Sequence, residues 1–159
     1  MDIRKIMKET KEMIWQKPCD LTAVNEIGRN SMVEFLNIRF TSVGDDYMEA
    51  VMPVTNRTCQ PFGYLHGGAG AVLAETLGSI AGNYACGPDC SCLGLDLNIN
   101  HLKAARLGEE IRAVARPVQL GNTIQVWQID SFNGKNQQIN TARLTLVVRR
   151  HMKVNSETQ

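Results

Sequence analysis

Alternation of apolar and polar positions is the main pattern along most of the chain. Leu95, Leu97 and Ile99 alternate with polar neighbours, which is typical of a half-buried strand. Strands are predicted on this basis over residues 38–43, 47–54, 91–102, 109–120, 122–132 and 137–149. The connections between them are short, and Asn133-Gly134 is a strong hairpin sequence. The pattern therefore predicts an antiparallel sheet.

Residues 67–85 have a different texture, because they are rich in Ala and Gly and too long for a typical strand. They predict a helix that is buried on most sides, since Glu75 is its only charged residue. The small residues predict backbones packed closely around it. Shorter helices are predicted over 21–29, capped by Asp20, and over 31–35. Two strands, a long helix and a meander give an α+β domain with the sheet wrapped around a central helix.

The length of 159 residues fits one domain. We assign that domain to residues 13–149, with residues 1–12 as an N-terminal extension and residues 150–159 as a polar tail. The extension mixes charges with a few apolar residues and suits a marginal amphipathic helix or a loose segment.

Charge and hydropathy exclude several classes of protein. The 17 basic and 16 acidic residues leave a formal charge of +1, which argues against a nucleic-acid binder. No apolar stretch is long enough to predict a membrane span. The first residues contain acids and lack an apolar leader, so we expect a cytoplasmic protein.

Three of the five cysteines form a C-x3-C-x-C cluster at Cys86, Cys90 and Cys92. One interpretation is a metal site with His101 as the fourth ligand. The spacing differs from the paired C-x2-C of zinc sites, so thiols around the Gly87-Pro88-Asp89 turn are the favoured interpretation. We expect reduced thiols, no metal and no cofactor.

Glu75 is the only charged residue between Arg57 and Asp89. An unpaired buried carboxylate is costly, so two interpretations stay open. Glu75 either turns to solvent or pairs with an arginine from the sheet, or it acts as a base or nucleophile.

The start of the long helix favours the second interpretation. His66-Gly67-Gly68 leaves N–H groups at a helix N-terminus, where developing negative charge is stabilised. Gln60 and His66 add polar groups that can orient a carbonyl or a water. Gly67 and Glu75 are separated by about 12 Å along one helix, so they cannot both touch one carbonyl. The spacing predicts a two-fold homodimer in which Glu75 comes from the second copy.

Residues 60–68, followed by Ala74-Glu75-Thr76-Leu77-Gly78-Ser79, resemble the hotdog-fold acyl-CoA thioesterases. The resemblance extends over residues 13–148. Within that family it is most similar to the aromatic acyl-CoA hydrolases of menaquinone biosynthesis and nearly as similar to the proofreading thioesterases of the enterobactin pathway. It implies hydrolysis of an aromatic acyl-CoA such as 1,4-dihydroxy-2-naphthoyl-CoA. Aryl- or acyl-carrier-protein thioesters, or non-catalytic acyl-CoA binding on the same fold, are the alternatives.

The resemblance also implies roles for individual residues. Glu75 attacks the thioester or activates water, and the Gly67 N–H polarises the carbonyl. Gln60 and His66 position substrate, water or leaving group, while Ser79 supplies a hydroxyl one turn after the carboxylate. No metal is required, and pairing of dimers into a tetramer is expected.

CoA contacts are implied at Gly94, at one stretch near the end of a strand and at one hairpin. The residues are Gly94, His101, Leu102, Lys103, Ala104, Val118, Gln119, Leu120, Gly121, Asn122 and Thr123. The relatives tend to carry His-His-Arg where this chain has His-Leu-Lys, so Lys103 meets a phosphate only as a point charge. Gly121 is equally well explained as a hairpin residue.

Overall fold

The computed structural model describes residues 13–151, so the predicted extension and residues 152–159 of the predicted tail lie outside the described residues. Helices and strands follow in the order α1 Leu21–Ile27, α2 Met32–Phe35, β1 Arg39–Val43, β2 Met48–Pro53, α3 Gly67–Ala85, β3 Cys90–His101, β4 Glu110–Leu120, β5 Ile124–Phe132 and β6 Gln138–Arg150. The bounds of α3 are those predicted from sequence. The strands deviate by one or two residues at their ends, and β6 runs one residue beyond the predicted Arg149.

The six strands form one sheet in the order β1-β2-β4-β5-β6-β3. Every neighbouring pair is antiparallel. Strand β3 is the edge strand at the end opposite β1, and its neighbour is β6, the last strand of the chain. Helix α3 therefore connects β2, near one edge of the sheet, to β3 at the other edge. The predicted α+β architecture, a sheet wrapped around a long helix, is confirmed.

Helix α3 packs on the sheet through its small residues. The buried positions recur every three or four residues, as expected for one helix face; they are Gly70, Leu73, Ala74, Leu77, Gly78, Ala81, Gly82 and Ala85. A Cβ at Gly78 would lie 2.6 Å from Cδ2 of Leu144, and one at Gly82 would overlap Leu146. The predicted close approach of backbones is therefore confirmed, since these glycines let the helix axis come near β6.

The predicted burial of α3 on most sides is confirmed for the face that packs on the sheet and holds only in part for the other face. Glu75, Thr76, Ser79 and Ile80 lie outside the fully buried stripe, on the side of α3 that faces α1 and α2, and are only partly buried. The prediction relied on the absence of charges, which does not distinguish a face covered by the same chain from one left for another molecule.

Helices α1 and α2 form a short helical pair beside β1. Asp20 Oδ2 accepts a hydrogen bond from the Ala23 N–H at 3.0 Å, and this caps α1 as predicted. Asn25 then ties α1 to β1, because its Nδ2 donates to the Phe40 carbonyl and its Oδ1 accepts from the Phe40 N–H. Helix α1 ends at Ile27, earlier than the predicted residue 29, where the Gly28 N–H turns back to Asn25 O. This pair forms one wall of the site described next.

Candidate active site

Glu75 lies in the middle of α3 and is partly buried. Ser79, one turn later, donates a hydrogen bond from Oγ to Glu75 Oε1 at 3.2 Å. Within residues 13–151 no arginine or lysine forms an ion pair with Glu75. The structure therefore rejects the pairing with an arginine of the sheet and leaves the carboxylate with a hydroxyl partner and partial access to solvent.

Gly94 on β3 lies against this carboxylate. A Cβ at position 94 would overlap Glu75 Oε1, so only glycine leaves the carboxylate in its present position. The pairing of β3 with β6 is irregular between Gly94 and Asp96, where a bulge bends the strand. The resemblance implied a CoA contact at Gly94, which stays a prediction, and the contact that the structure shows is with Glu75.

An apolar cavity of about 230 Å³ adjoins Glu75. Its wall combines the carboxylate face of α3 with residues from α1, α2 and β1: Val24, Ile27, Gly28, Val33, Phe40, Glu75, Thr76, Ser79 and Ile80. Sequence reasoning missed this cavity. The apolar spacing of Val24 and Ile27 on α1 was the available signal, but nothing in it shows that α1 faces α3.

The N-terminus of α3 presents the second group of predicted residues. His66 is the N-cap, and its Nδ1 accepts a hydrogen bond from the Gly68 N–H at 2.9 Å. Gly67 is the first helical residue, whose N–H has no acceptor within the helix. The imidazole of His101 packs on Gly67, since a Cβ there would lie 2.9 Å from Nε2. The predicted oxyanion donor and His101 are therefore neighbours.

A cavity of about 440 Å³ opens at this helix end. It brings together the predicted Gln60, Gly67 and His101–Ala104; the complete lining is Gln60, Tyr64, Leu65, Gly67, His101, Leu102, Lys103, Ala104, Ile139 and Asn140. Asn140 was not predicted. Its side chain is buried, and Oδ1 has no hydrogen-bond partner among the described residues.

The remaining predicted stretch, 118–123, lies elsewhere, at the β4–β5 hairpin. Leu120, Gly121 and Asn122 line a separate cavity of about 440 Å³ together with Cys86 and Cys90. Gly121 donates its N–H to Ile124 O at 3.0 Å, and a Cβ on it would lie 2.6 Å from that oxygen. The tight hairpin is sufficient to explain this glycine, and a CoA contact there stays a prediction.

Within one chain, the predicted catalytic residues occupy two places. Gln60 and Gly67 line the cavity at the start of α3, whereas Glu75 and Ser79 line the apolar cavity one face away. His66 caps the helix at its start, directly before Gly67. A single copy does not bring the carboxylate to the free N–H of Gly67.

The metal interpretation of the cysteines fails on geometry. Among residues 13–151, no three His, Cys, Asp or Glu side chains lie close enough to hold a metal ion. His101 and Cys90 stand at opposite ends of β3, a strand of 12 residues. Burial, together with the neighbouring Cys86, raises the pKa of the Cys92 thiol to about 12.

No helix in the described part of the chain is both long enough and apolar enough to cross a membrane.

Comparison with known proteins gives a consistent result. A model of the thioesterase superfamily matches residues 62–140. A 1,4-dihydroxy-2-naphthoyl-CoA hydrolase of Escherichia coli is 47% identical over 136 residues, covering 86% of this chain and 99% of the relative. A proofreading thioesterase EntH of Cronobacter turicensis is 43% identical and covers 86% and 98%. The crystal structure of a Haemophilus influenzae thioesterase superposes with a TM-score of 0.86 at 43% identity, covering 90% and 99%. The hotdog fold expected from sequence is thereby confirmed.

Proposed function

The chain belongs to the thioesterase superfamily and is a thioester hydrolase, and from this premise we propose that it hydrolyses an aromatic acyl-CoA with Glu75 as the reacting carboxylate. One observation carries the assignment. Glu75 is held between the Ser79 hydroxyl and the bare backbone of Gly94, at the edge of an apolar cavity.

The apolar cavity supports an aromatic acyl group. Apart from Glu75, Thr76 and Ser79, its walls come from aliphatic and aromatic side chains and Gly28, and its volume of about 230 Å³ suits a compact ring system better than a long chain. The similar E. coli protein is named for 1,4-dihydroxy-2-naphthoyl-CoA, which makes this thioester the first candidate. The similarity to a proofreading thioesterase makes aryl-carrier-protein thioesters the second.

The chemistry needs a carboxylate on one side of the thioester carbonyl and an N–H donor on the other. Glu75 attacks the carbonyl carbon, or takes a proton from a water that attacks it, and the oxygen becomes an oxyanion. The Gly67 N–H at the helix start, strengthened by the helix dipole, stabilises that charge. The C–S bond then breaks and CoA leaves as a thiolate, a good leaving group that needs no metal. When Glu75 attacks directly, the acyl group is left on its carboxylate as a mixed anhydride, and a water then hydrolyses that anhydride and regenerates Glu75. On either route the products are the free acid and CoA.

Two copies of the chain are needed to complete this arrangement. Gly67 and Glu75 lie about 12 Å apart on one helix, so the donor for each carboxylate must come from an antiparallel α3 of a second copy. The half-buried, nearly uncharged face of α3 provides a surface for that helix. Strand β3 adds an edge with exposed Leu93 (58%) and Leu95 (59%), and such an edge pairs readily with another strand. A homodimer with shared sites follows; a dimer of dimers remains a prediction.

CoA contacts are proposed at two stretches, of which only the first lies beside the cavity that contains Gln60 and Gly67. Lys103, exposed at the end of the cavity that contains Gln60 and Gly67, supplies a positive charge for a phosphate. The hairpin residues 118–123 form the other stretch. His66 and Gln60 position the thioester or the water.

A panel of thioesters tests the substrate and the residue together. The kcat/KM values for 1,4-dihydroxy-2-naphthoyl-CoA, benzoyl-CoA, hexanoyl-CoA, palmitoyl-CoA and an aryl-carrier-protein thioester should rank an aromatic CoA ester first.

Glu75→Gln should lower kcat at least 100-fold. Glu110→Gln, which removes an exposed carboxylate paired with Arg39, is the matched control and should leave kcat unchanged. Wild-type rates in Glu75→Gln would refute the role of Glu75, and preference for palmitoyl-CoA would refute the aromatic class.

A further inference from the structure

Three thiols cluster at the C-terminal end of α3, outside the carboxylate site. Cys86 is the C-cap of α3, Cys90 begins β3, and Cys92 follows two residues later. Cys86 and Cys92 are each only 4% exposed, whereas Cys90 is partly exposed. The proposed hydrolysis uses none of them, and the geometry excludes a metal among the described residues.

Cys86 and Cys92 meet at one backbone carbonyl. The Cys86 N–H donates to Gly82 O at 3.0 Å, and the Cys92 thiol donates to the same oxygen at 3.3 Å. The Cys86 side chain also contributes to the raised pKa of Cys92, and an interaction of this kind requires that the two thiols lie close together. The side chains are therefore adjacent across the junction of α3 and β3.

Lys17 is in direct contact with the Cys86 thiol. Its Nζ lies 3.4 Å from Cys86 Sγ and donates to the carbonyls of Asn83 at 2.6 Å and Cys90 at 2.8 Å. A neighbouring ammonium stabilises a thiolate, which is the form that oxidants attack. Cys86 also lines the cavity of about 440 Å³ beside the β4–β5 hairpin, which gives a small oxidant a path to it.

We propose that hydrogen peroxide oxidises Cys86 and Cys92 to an intramolecular disulfide, and that this disulfide lowers hydrolysis by acting on Glu75 through β3. The Cys86 thiolate attacks one peroxide oxygen, the O–O bond breaks, and Cys86 sulfenic acid and hydroxide (water, after protonation) form. Cys92 then attacks the sulfenic sulfur, the S–S bond forms and the oxygen leaves as a second water. Two thiols and one peroxide thus give one disulfide and two waters.

The path from the disulfide to the carboxylate is short. Asn83 on α3 binds both backbone groups of Cys92: its Oδ1 accepts from the Cys92 N–H at 2.8 Å and its Nδ2 donates to the Cys92 carbonyl at 3.1 Å. Gly94, which packs on Glu75, is two residues further along β3. A bond from Cys92 to Cys86 pulls on this segment of β3. The effect on hydrolysis rests on the proposed function, whereas formation of the disulfide does not.

Peptide mapping tests the disulfide itself. The full-length protein is treated with hydrogen peroxide and unfolded, and its remaining thiols are blocked with N-ethylmaleimide. The protein is then cleaved on the N-terminal side of Asp89, so that Cys86 lies on one peptide and Cys90 and Cys92 lie on the next. We expect the two peptides to be joined by a disulfide, with a mass two hydrogens below the sum of the reduced peptides. This cross-link should persist in Cys90→Ser and be absent in Cys86→Ser. Lys17→Met should slow its formation at least threefold, and the exposed Lys135→Met should not. A cross-link that involves Cys90, or thiols that stay reduced, would overturn the proposal.

The hydrolysis rate tests the coupling separately. Oxidised wild-type protein should show a several-fold lower kcat that dithiothreitol restores, and Cys92→Ala should not respond to peroxide. A complete disulfide with unchanged kcat would overturn the coupling. An error in the assignment of Glu75 would appear instead as wild-type activity of Glu75→Gln, with the mapping result unaffected.

Discussion

Gly94 of β3 and Glu75 of α3 are in direct contact, and the absence of a side chain on Gly94 sets the position of the carboxylate. The nearest atom to a Cβ at position 94 is the end of a flexible side chain, not backbone. Such a Cβ would therefore displace the carboxylate rather than disrupt the sheet. A substitution at Gly94 should thus change the activity without a comparable change in folding stability.

Gly94→Ala should lower kcat at least tenfold and shift Tm only slightly, because a misplacement of about 1 Å at a reacting group can cost up to 100-fold in rate. Gly134→Ala is the control, since a Cβ there meets no atom within 4 Å. Steady-state kinetics with an aromatic acyl-CoA and thermal unfolding measure the two effects. Full activity in Gly94→Ala would show that Glu75 does not need its present position.

Ser79→Ala should lower kcat about fivefold, corresponding to the roughly 1 kcal/mol of one hydrogen bond to the carboxylate. The hydrogen bond of 3.2 Å from Oγ to Oε1 orients Glu75, and we expect the reaction to continue more slowly without it. Ser91→Ala on β3 serves as the control. A loss as large as that of Glu75→Gln would instead make the hydroxyl a reacting group.

Composition and periodicity predicted α3 and the strands well, because each depends on local spacing. Glu75 was recognised as exceptional for the same reason, since a single carboxylate in an uncharged helix is visible without coordinates. The contact of Gly94 with Glu75 and the wall formed by Val24 and Phe40 depend on register and on how α1 packs, which the pattern does not specify. The partly buried face of α3 was taken for core because the pattern does not show which uncharged positions the same chain covers.

Asn83→Ala should destabilise the fold by about 2 kcal/mol, because it leaves the two buried backbone groups of Cys92 without a partner. Urea unfolding measures the change, with the exposed Asn56→Ala as the control. An unchanged midpoint would show that water replaces the amide at this junction.

Above pH 9 the Cys92 thiol should make stability depend on pH. Burial and the neighbouring Cys86 raise the pKa of Cys92 from 9.0 to about 12, so between these values the unfolded chain releases a proton that the folded chain keeps. The contribution of Cys92 is thus fully present below pH 9 and is lost as pH rises towards 12. The free energy of unfolding in reducing buffer should fall less steeply from pH 8.5 to 11 in Cys92→Val than in the wild type. Equal slopes would contradict the raised pKa.

Mixed dimers test whether each site uses residues from two chains. Glu75→Gln and Gln60→Ala should each be strongly impaired alone, since each removes one half of both sites. In a dimer with one chain of each kind, one site contains both substitutions and the other contains neither. Co-expression with random pairing makes half of the dimers mixed, so activity should recover to about a quarter of the wild-type value. Two copies of Glu75→Gln carrying different tags provide the control and should recover nothing. If Glu75 and Gln60 acted within one chain, no mixed dimer would contain an intact site, and the activity would stay at the average of the two parents.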